Sequence, residues 1–154
     1  MKTIIAGSRT INESHKDKVF KIFDTCPWQI TEVICGCAKG VDTLGEDWAK
    51  SKGIPVRRFP ADWSIGKSAG VIRNSNMVNY GEASLIVWDG VSRGTFDTIN
   101  KSWKKGYKSI HVCILNDKSE IIELTLAQLI NCIKSKKFVK LDPDKELFEN
   151  PTIM

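Results

Sequence analysis

Thr3-Ile4-Ile5-Ala6-Gly7-Ser8-Arg9 is a short apolar run that gives way at once to a glycine, a hydroxyl and a guanidinium. An apolar run of this length, closed by turn residues, reads as a buried strand. Two later stretches repeat the arrangement. Val33 to Cys35 runs into Gly36-Cys37-Ala38-Lys39-Gly40-Val41-Asp42, and Leu85 to Trp88 leads through Asp89-Gly90 to Ser92-Arg93-Gly94-Thr95. In a parallel sheet every strand-to-helix loop leaves on the same edge, and open α/β sheets bind ligands beyond the carboxyl ends of their strands. The three loops are therefore expected to meet in space.

The segments between them complete the pattern. Strands are expected at about 2–6, 31–35, 54–59, 85–88 and 110–115, and helices at about 13–24, 41–52, 67–80 and 95–105. Residues 121–133 are mostly helical by pattern, the first few being equally suited to a short extra strand. Asn12 is placed to cap the first helix, Gly53 to stop the second. Val71, Ile72, Met77 and Val78 are the apolar residues available for packing on the third. Alternation of strand and helix from end to end is the sign of a mainly parallel sheet, here of about five strands, with crossover helices.

At 154 residues the chain is most simply one domain, at 1–135, followed by a charged tail or packing extension at 136–154. Apolar content of 42% and charge of 27% are those of an ordinary globular protein. No apolar run approaches the roughly 20 residues that span a bilayer. Met1 leads directly into the first strand, so a cytoplasmic setting without a leader segment is expected. Five cysteines fit no disulfide framework and read as free thiols; Cys35 and Cys113 fall in expected strands and Cys132 on an apolar helix face. Cys35-Gly36-Cys37 lacks the spacer of common zinc pairs, and both histidines lie far from it in sequence, so neither metal nor cofactor is expected. A net charge of +5 suits anionic partners, though lysine-rich surfaces also serve solubility.

Each motif carries a defined chemistry. Unpaired amides at a helix start attract phosphate, and an arginine grips it through two hydrogen bonds, which gives Gly7, Ser8 and Arg9 a role. Gly36 and Gly40 allow close backbone approach, Lys39 brings charge, and Asp42 either caps the second helix or accepts from a sugar hydroxyl. This is neither the dinucleotide fingerprint nor a Walker loop, because the spacing differs. Of five tryptophans, Trp48, Trp88 and Trp103 fall on expected core faces and Trp28 reads as a loop anchor, which leaves Trp63 to stack on a base. Lys67, Arg73 and Asn74 lie at or near the start of the third helix. Ser92, Arg93, Gly94 and Thr95 offer hydroxyls, amides and a counter-charge to one phosphate, Thr95 being equally a plain helix cap. Asp97 either complements the positive helix end or serves as a base near a bound sugar.

The ordered set resembles the SLOG superfamily, named for the Smf/DprA and LOG proteins, and within it the YspA-related proteins of the DUF2493 type. The matching residues are Gly7-Ser8-Arg9; Gly36-x-x-x-Gly40-Val41-Asp42 with Trp48-Ala49; Ala61-Asp62-Trp63; Gly66-Lys67-x-Ala69-Gly70; Arg73-Asn74-x-x-Met77; and Ser92-Arg93-Gly94-Thr95. Together they span roughly residues 1–115. The resemblance implies an α/β, Rossmann-like three-layer sandwich and a pocket in which Gly7 to Arg9 and Ser92 to Thr95 hold phosphate. It also implies a homo-oligomer, dimer or higher. LOG-type enzymes carry Pro-Gly-Gly-x-Gly-Thr-x-x-Glu, and this chain has Thr98 where that glutamate belongs. Asp97, one residue away, is turned about 100° around a helix.

Three functions follow from the resemblance. The first is binding of a phosphorylated nucleotide or ADP-ribose-type molecule, as sensor or sequestering protein. The second is an N-glycosidase or phosphoribohydrolase acting on nucleotides, with Asp97 or Asp42 as the carboxylate. The third is DprA-like binding of single-stranded nucleic acid, against which a lone stacking platform at Trp63 argues.

Overall fold

A computed structural model describes residues 1–135; the expected extension at 136–154 lies outside the described residues. Strands β1 (Lys2–Gly7), β2 (Glu32–Cys35), β3 (Val56–Arg58), β4 (Ala83–Trp88), β5 (Ser109–Leu115) and β6 (Ile121–Glu123) form one sheet in the order β3-β2-β1-β4-β5-β6. The first five run parallel, and β6 returns antiparallel to β5. Helices α1 (Lys16–Asp24) and α2 (Val41–Lys52) cover one face; α3 (Ala69–Tyr80), α4 (Arg93–Lys105) and α5 (Leu126–Ser135) cover the other. The result is an α/β, Rossmann-like three-layer sandwich. Among the described residues, no helix is long and apolar enough to cross a membrane.

Both faces of the sheet are buried, which is why its strands read as continuous apolar runs. In β1, Ile4 and Ala6 pack toward α3 and α4, and Ile5 packs toward α1 and α2. In β4 all six residues are buried. Trp48 and Trp88 occupy the two cores as expected, at 5% and 1% exposure. Their indole N–H groups do not go unpaired: Trp48 Nε1 donates to Asp24 at 2.9 Å, joining α2 to α1, and Trp88 Nε1 donates to the Ser92 carbonyl at 3.0 Å. Trp28 is the expected loop anchor, donating to Thr3 Oγ1 at 2.9 Å. Cys35, Cys113 and Cys132 are buried, and no cysteine among the described residues is in a disulfide.

Several expectations need correction. The short extra strand that the sequence allowed does form: Ile121–Glu123 pairs with β5 before α5 begins, which brings the sheet to six strands. Strand β3 is only three residues long, its outer position in the sheet leaving Arg57 and Arg58 exposed. Asn12 caps a 3-10 turn, Glu13–His15, which then continues into α1. Val71 and Ile72 are 50% and 46% exposed, since the inward stripe of α3 runs through Ala69, Asn74, Met77 and Val78. Trp103 is 37% exposed, one position past the buried Ser102 on α4.

The order of the sheet locates the crevice. From β1 the chain moves outward through β2 to β3, then crosses back to place β4 on the other side of β1. The helices change faces at that crossing. Adjacent strands whose connections depart in opposite directions leave a gap at their carboxyl ends. Here the gap lies beyond Gly7 and Trp88.

Candidate functional site

Gly7 ends β1 where no side chain fits. A Cβ there would stand 1.9 Å from the Val87 carbonyl oxygen and 2.7 Å from the Val41 side chain. The next residue, Ser8, donates its amide to that same carbonyl at 3.1 Å. On the far side Gly40 has φ +82°, and a Cβ would lie 2.4 Å from the Ser8 carbonyl. The ends of β1, β4 and the β2–α2 loop are thus pressed together backbone to backbone. This is the close approach for which glycine is needed.

Ser8 and Ser92 lock this junction. Ser8 Oγ accepts from the Asp89 amide at 2.9 Å and lies 3.0 Å from Ser92 Oγ. The Asp89 carboxylate in turn accepts from the amides of Val91 and Ser92 at 2.9 and 2.8 Å, and from the Ser92 hydroxyl at 2.9 Å. Burial would push the Asp89 carboxyl up, but these amides, with the hydroxyls of Ser92 and Ser8, outweigh it and hold it below the ordinary range. Ser8 is 1% exposed. Its hydroxyl is part of the scaffold that fixes the start of α4.

A cavity of about 350 Å³ opens above the junction. Of the residues singled out in the sequence, Gly7, Arg9, Asp42, Trp63, Lys67, Arg73, Asn74, Ser92, Gly94 and Thr95 line it. Ser8, Gly36, Lys39, Gly40, Arg93 and Asp97 do not. Gly36 and Gly40 sit behind the wall, and Lys39 and Arg93 are exposed outside it. The lining also includes Thr10, Ala38 and Thr98. Ala38 belongs to the Gly36 to Asp42 motif, Thr98 stands where the LOG-type glutamate belongs, and Thr10, which directly follows Gly7-Ser8-Arg9, is signalled only by its position.

Helices α2, α3 and α4 all begin without a side-chain cap, and each contributes first-turn residues to the cavity: Asp42, Gly70, and Gly94 with Thr95. The first amides of a helix have no partner within it, and the helix dipole adds positive potential there. Ser92 flanks α4 as its N-cap residue, but its hydroxyl is turned to Asp89. Arg9, Lys67 and Arg73 add three cations to this lining, against the single carboxylate of Asp42. The lining carries more positive than negative charge.

Arg73 is held firmly. Its Nε donates to Asn74 Oδ1 at 2.9 Å and its Nη1 donates to the Gly36 carbonyl. Asn74 Nδ2 donates to Asp97 Oδ2 at 3.0 Å and to the Gly94 carbonyl at 3.3 Å. Lys101 Nζ completes the chain, donating to Asp97 at 2.7 Å and to the Val71 carbonyl at 2.9 Å. A line of contacts therefore runs from α4 through α3 to the β2–α2 loop. Asp97 is spent within it, oriented toward Lys101 and Asn74.

Asp42 is the buried carboxylate of the site, 5% exposed, with Oδ2 accepting from the Ala38 amide at 3.2 Å. Burial raises its pKa to about 6; the Ala38 amide and the charges of Arg73 and Arg9 oppose the rise without cancelling it. Trp63 stands at the mouth, 56% exposed, in a 3-10 turn (Trp63–Ile65) capped by Asp62. The outer edge of its indole lies close to Gly70, where a Cβ would come within 3.3 Å.

Residues 1–66 match the family model described as the YspA, cpYpsA-related SLOG family. No curated protein and no solved structure matches the chain. The matched stretch carries Gly7, Arg9, Thr10, Ala38, Asp42 and Trp63 of the lining, while Lys67, Arg73, Asn74 and the α4 residues lie beyond it.

Proposed function

We propose, from the premise that this is a SLOG protein of the YspA-related kind, that the chain binds a phosphorylated nucleotide or ADP-ribose-type molecule. In that role it serves as a sensor or a sequestering protein. The observation that carries this reading is the meeting of three uncapped helix starts and three cations in one cavity with an exposed indole at its mouth. Phosphate belongs at the α4 start near Arg73, the sugar near Asp42, and the base against Trp63. Native mass spectrometry of protein purified from cells is expected to show a co-purified nucleotide. In calorimetry with AMP, ADP and ADP-ribose, Trp63→Ala should weaken the best ligand by about tenfold or more, since stacking contributes roughly 1–3 kcal/mol per base. No binding of any of the three, with a clean apo mass, rejects the reading.

One observation favours a second reading, cleavage of the base from the sugar. Asp42 lines the cavity and has a pKa of about 6, which suits proton transfer near neutral pH. Asp97 no longer serves this reading, because it lies outside the cavity lining in an ion pair with Lys101. Asp42→Asn separates the two readings. If cleavage occurs, the variant releases no free base while still binding nucleotide.

The same variant tests the electrostatics. The folded-state pKa of Asp42, about 6, lies above the ordinary 3.8. Between these values the folded protein holds a proton that the unfolded chain has released, so stability falls as pH rises from about 3.8 through about 6. Asn keeps an oxygen for the Ala38 amide and has no charge to bury. Asp42→Asn should therefore stabilise the ligand-free protein at pH 7, by on the order of 3 kcal/mol, and flatten its denaturation midpoint between pH 4 and 7. An unchanged pH profile would show that Asp42 ionises without penalty.

A further inference from the structure

We propose that His111, Cys113 and Glu123 form a binding site for a divalent metal ion of the zinc class, on the β5–β6 edge of the sheet and apart from the nucleotide cavity. The backbone makes this grouping. His111 and Cys113 are two apart on β5 and so share one face. Glu123 lies directly opposite Cys113 in the antiparallel β5–β6 pair and projects to that same face.

The donor atoms lie within 4.8 Å of one another. His111 Nε2 stands 2.9 Å from Glu123 Oε1 and 3.5 Å from Cys113 Sγ. Tetrahedral zinc, with bonds of about 2.0–2.1 Å to nitrogen, 2.0–2.2 Å to oxygen and 2.3 Å to sulfur, separates N from O by about 3.3 Å and N from S by about 3.5 Å. Both distances from His111 Nε2 are within a few tenths of an ångström of that geometry, and the remaining sulfur–oxygen pair lies within 4.8 Å. A cross-strand ion pair of His111 with Glu123 would by itself need no sulfur beside it.

The setting is that of a loadable site. Cys113 is 1% exposed and seated in the core. The His111 and Glu123 side chains are 19% and 68% exposed, so an ion enters from solvent on the glutamate side. Three protein ligands leave a fourth position for water. One imidazole, one thiolate and one carboxylate select a borderline ion of the zinc or cobalt type and disfavour magnesium and calcium, which take oxygen ligands. On binding, the Cys113 thiol gives its proton to solvent as the metal–sulfur bond forms, with no change of oxidation state. The spacing Cys35-Gly36-Cys37 gave no hint of this site, because its third ligand arrives on another strand.

The test uses the full chain, reduced and stripped with a chelator, titrated with cobalt(II) and zinc(II). One ion per chain is expected, with a thiolate-to-cobalt charge-transfer band that zinc abolishes and excess magnesium leaves in place. Glu123→Gln, a change at an exposed position, should weaken binding at least about tenfold. Cys113→Ser should remove the band, and Cys37→Ser should leave it. A band that persists in Cys113→Ser or vanishes in Cys37→Ser, affinity unchanged in Glu123→Gln, or no stoichiometric binding at all would each overturn the proposal.

Discussion

Arg73→Met should weaken nucleotide binding by about ten- to a hundredfold while leaving the fold intact. A hydrogen bond to a charged group contributes roughly 1.5–3 kcal/mol, and each 1.4 kcal/mol is a factor of ten. Arg73 adds pre-organisation to that, because Asn74 and the Gly36 carbonyl already fix two of its nitrogens and little rotamer freedom is lost when a phosphate arrives. Methionine retains the length and apolar stem of the side chain, so packing on α3 is largely kept. Lysine, a point charge without the fork, should recover part of the affinity. The measurement is calorimetry on the three proteins, with thermal melts as a check on folding. Equal affinity in wild type and Arg73→Met, with equal melts, would remove Arg73 from the site and leave the phosphate to the helix starts alone.

Gly7→Ala should be strongly damaging. The added carbon meets backbone, the Val87 carbonyl at 1.9 Å, and a carbonyl cannot swing aside as a side-chain tip can. Relief requires β1 to part from the end of β4 or α2 to back away from Val41. A cost of about 3 kcal/mol or more is expected, which for a domain of this size lowers the melting temperature by roughly 6–12 °C. Gly94→Ala is the internal comparison. Nothing lies within 4 Å of a Cβ there, and the position is helical, so alanine should leave stability unchanged or raise it slightly. Equal melts for the two variants would mean that the junction is looser than its distances say.

The parallel core was legible because strands buried on both faces announce themselves as unbroken apolar runs, Leu85 to Trp88 above all. The glycine-bearing ends of β1 and β2 were legible for the same reason, and so was the convergence of the loops. What could not be read was how each polar group is spent. Ser8 resembles a phosphate donor until Asp89 and Ser92, more than eighty residues on, are seen to claim its hydroxyl. Asp97 looks available until Lys101 and Asn74 take it; the i,i+4 spacing of Asp97 and Lys101 was the one clue in the sequence. Val71 and Ile72 misled because the buried positions of α3 are Ala69, Asn74, Met77 and Val78, while Val71 lines the open cavity and Ile72 is left largely exposed. The His111, Cys113 and Glu123 triad depends on a three-residue strand whose register no short-range pattern encodes.

The position of β1 at the centre of the sheet has a consequence for synthesis. Its pairing with β4 joins residues such as Thr3 and Ala83, eighty apart, so the chain must close a long loop before the cavity has a second wall. A ribosome-bound nascent chain that has emerged only through the turn Trp63–Ile65 holds Gly7, Arg9, Asp42 and Trp63 but has neither Arg73 nor the α4 start. On the proposed function, nucleotide capture should therefore switch on abruptly late in translation, once β4 and α4 have cleared the exit tunnel. Ligand added during synthesis would then favour the completed fold over its half-built precursors, acting as a folding template as much as a signal.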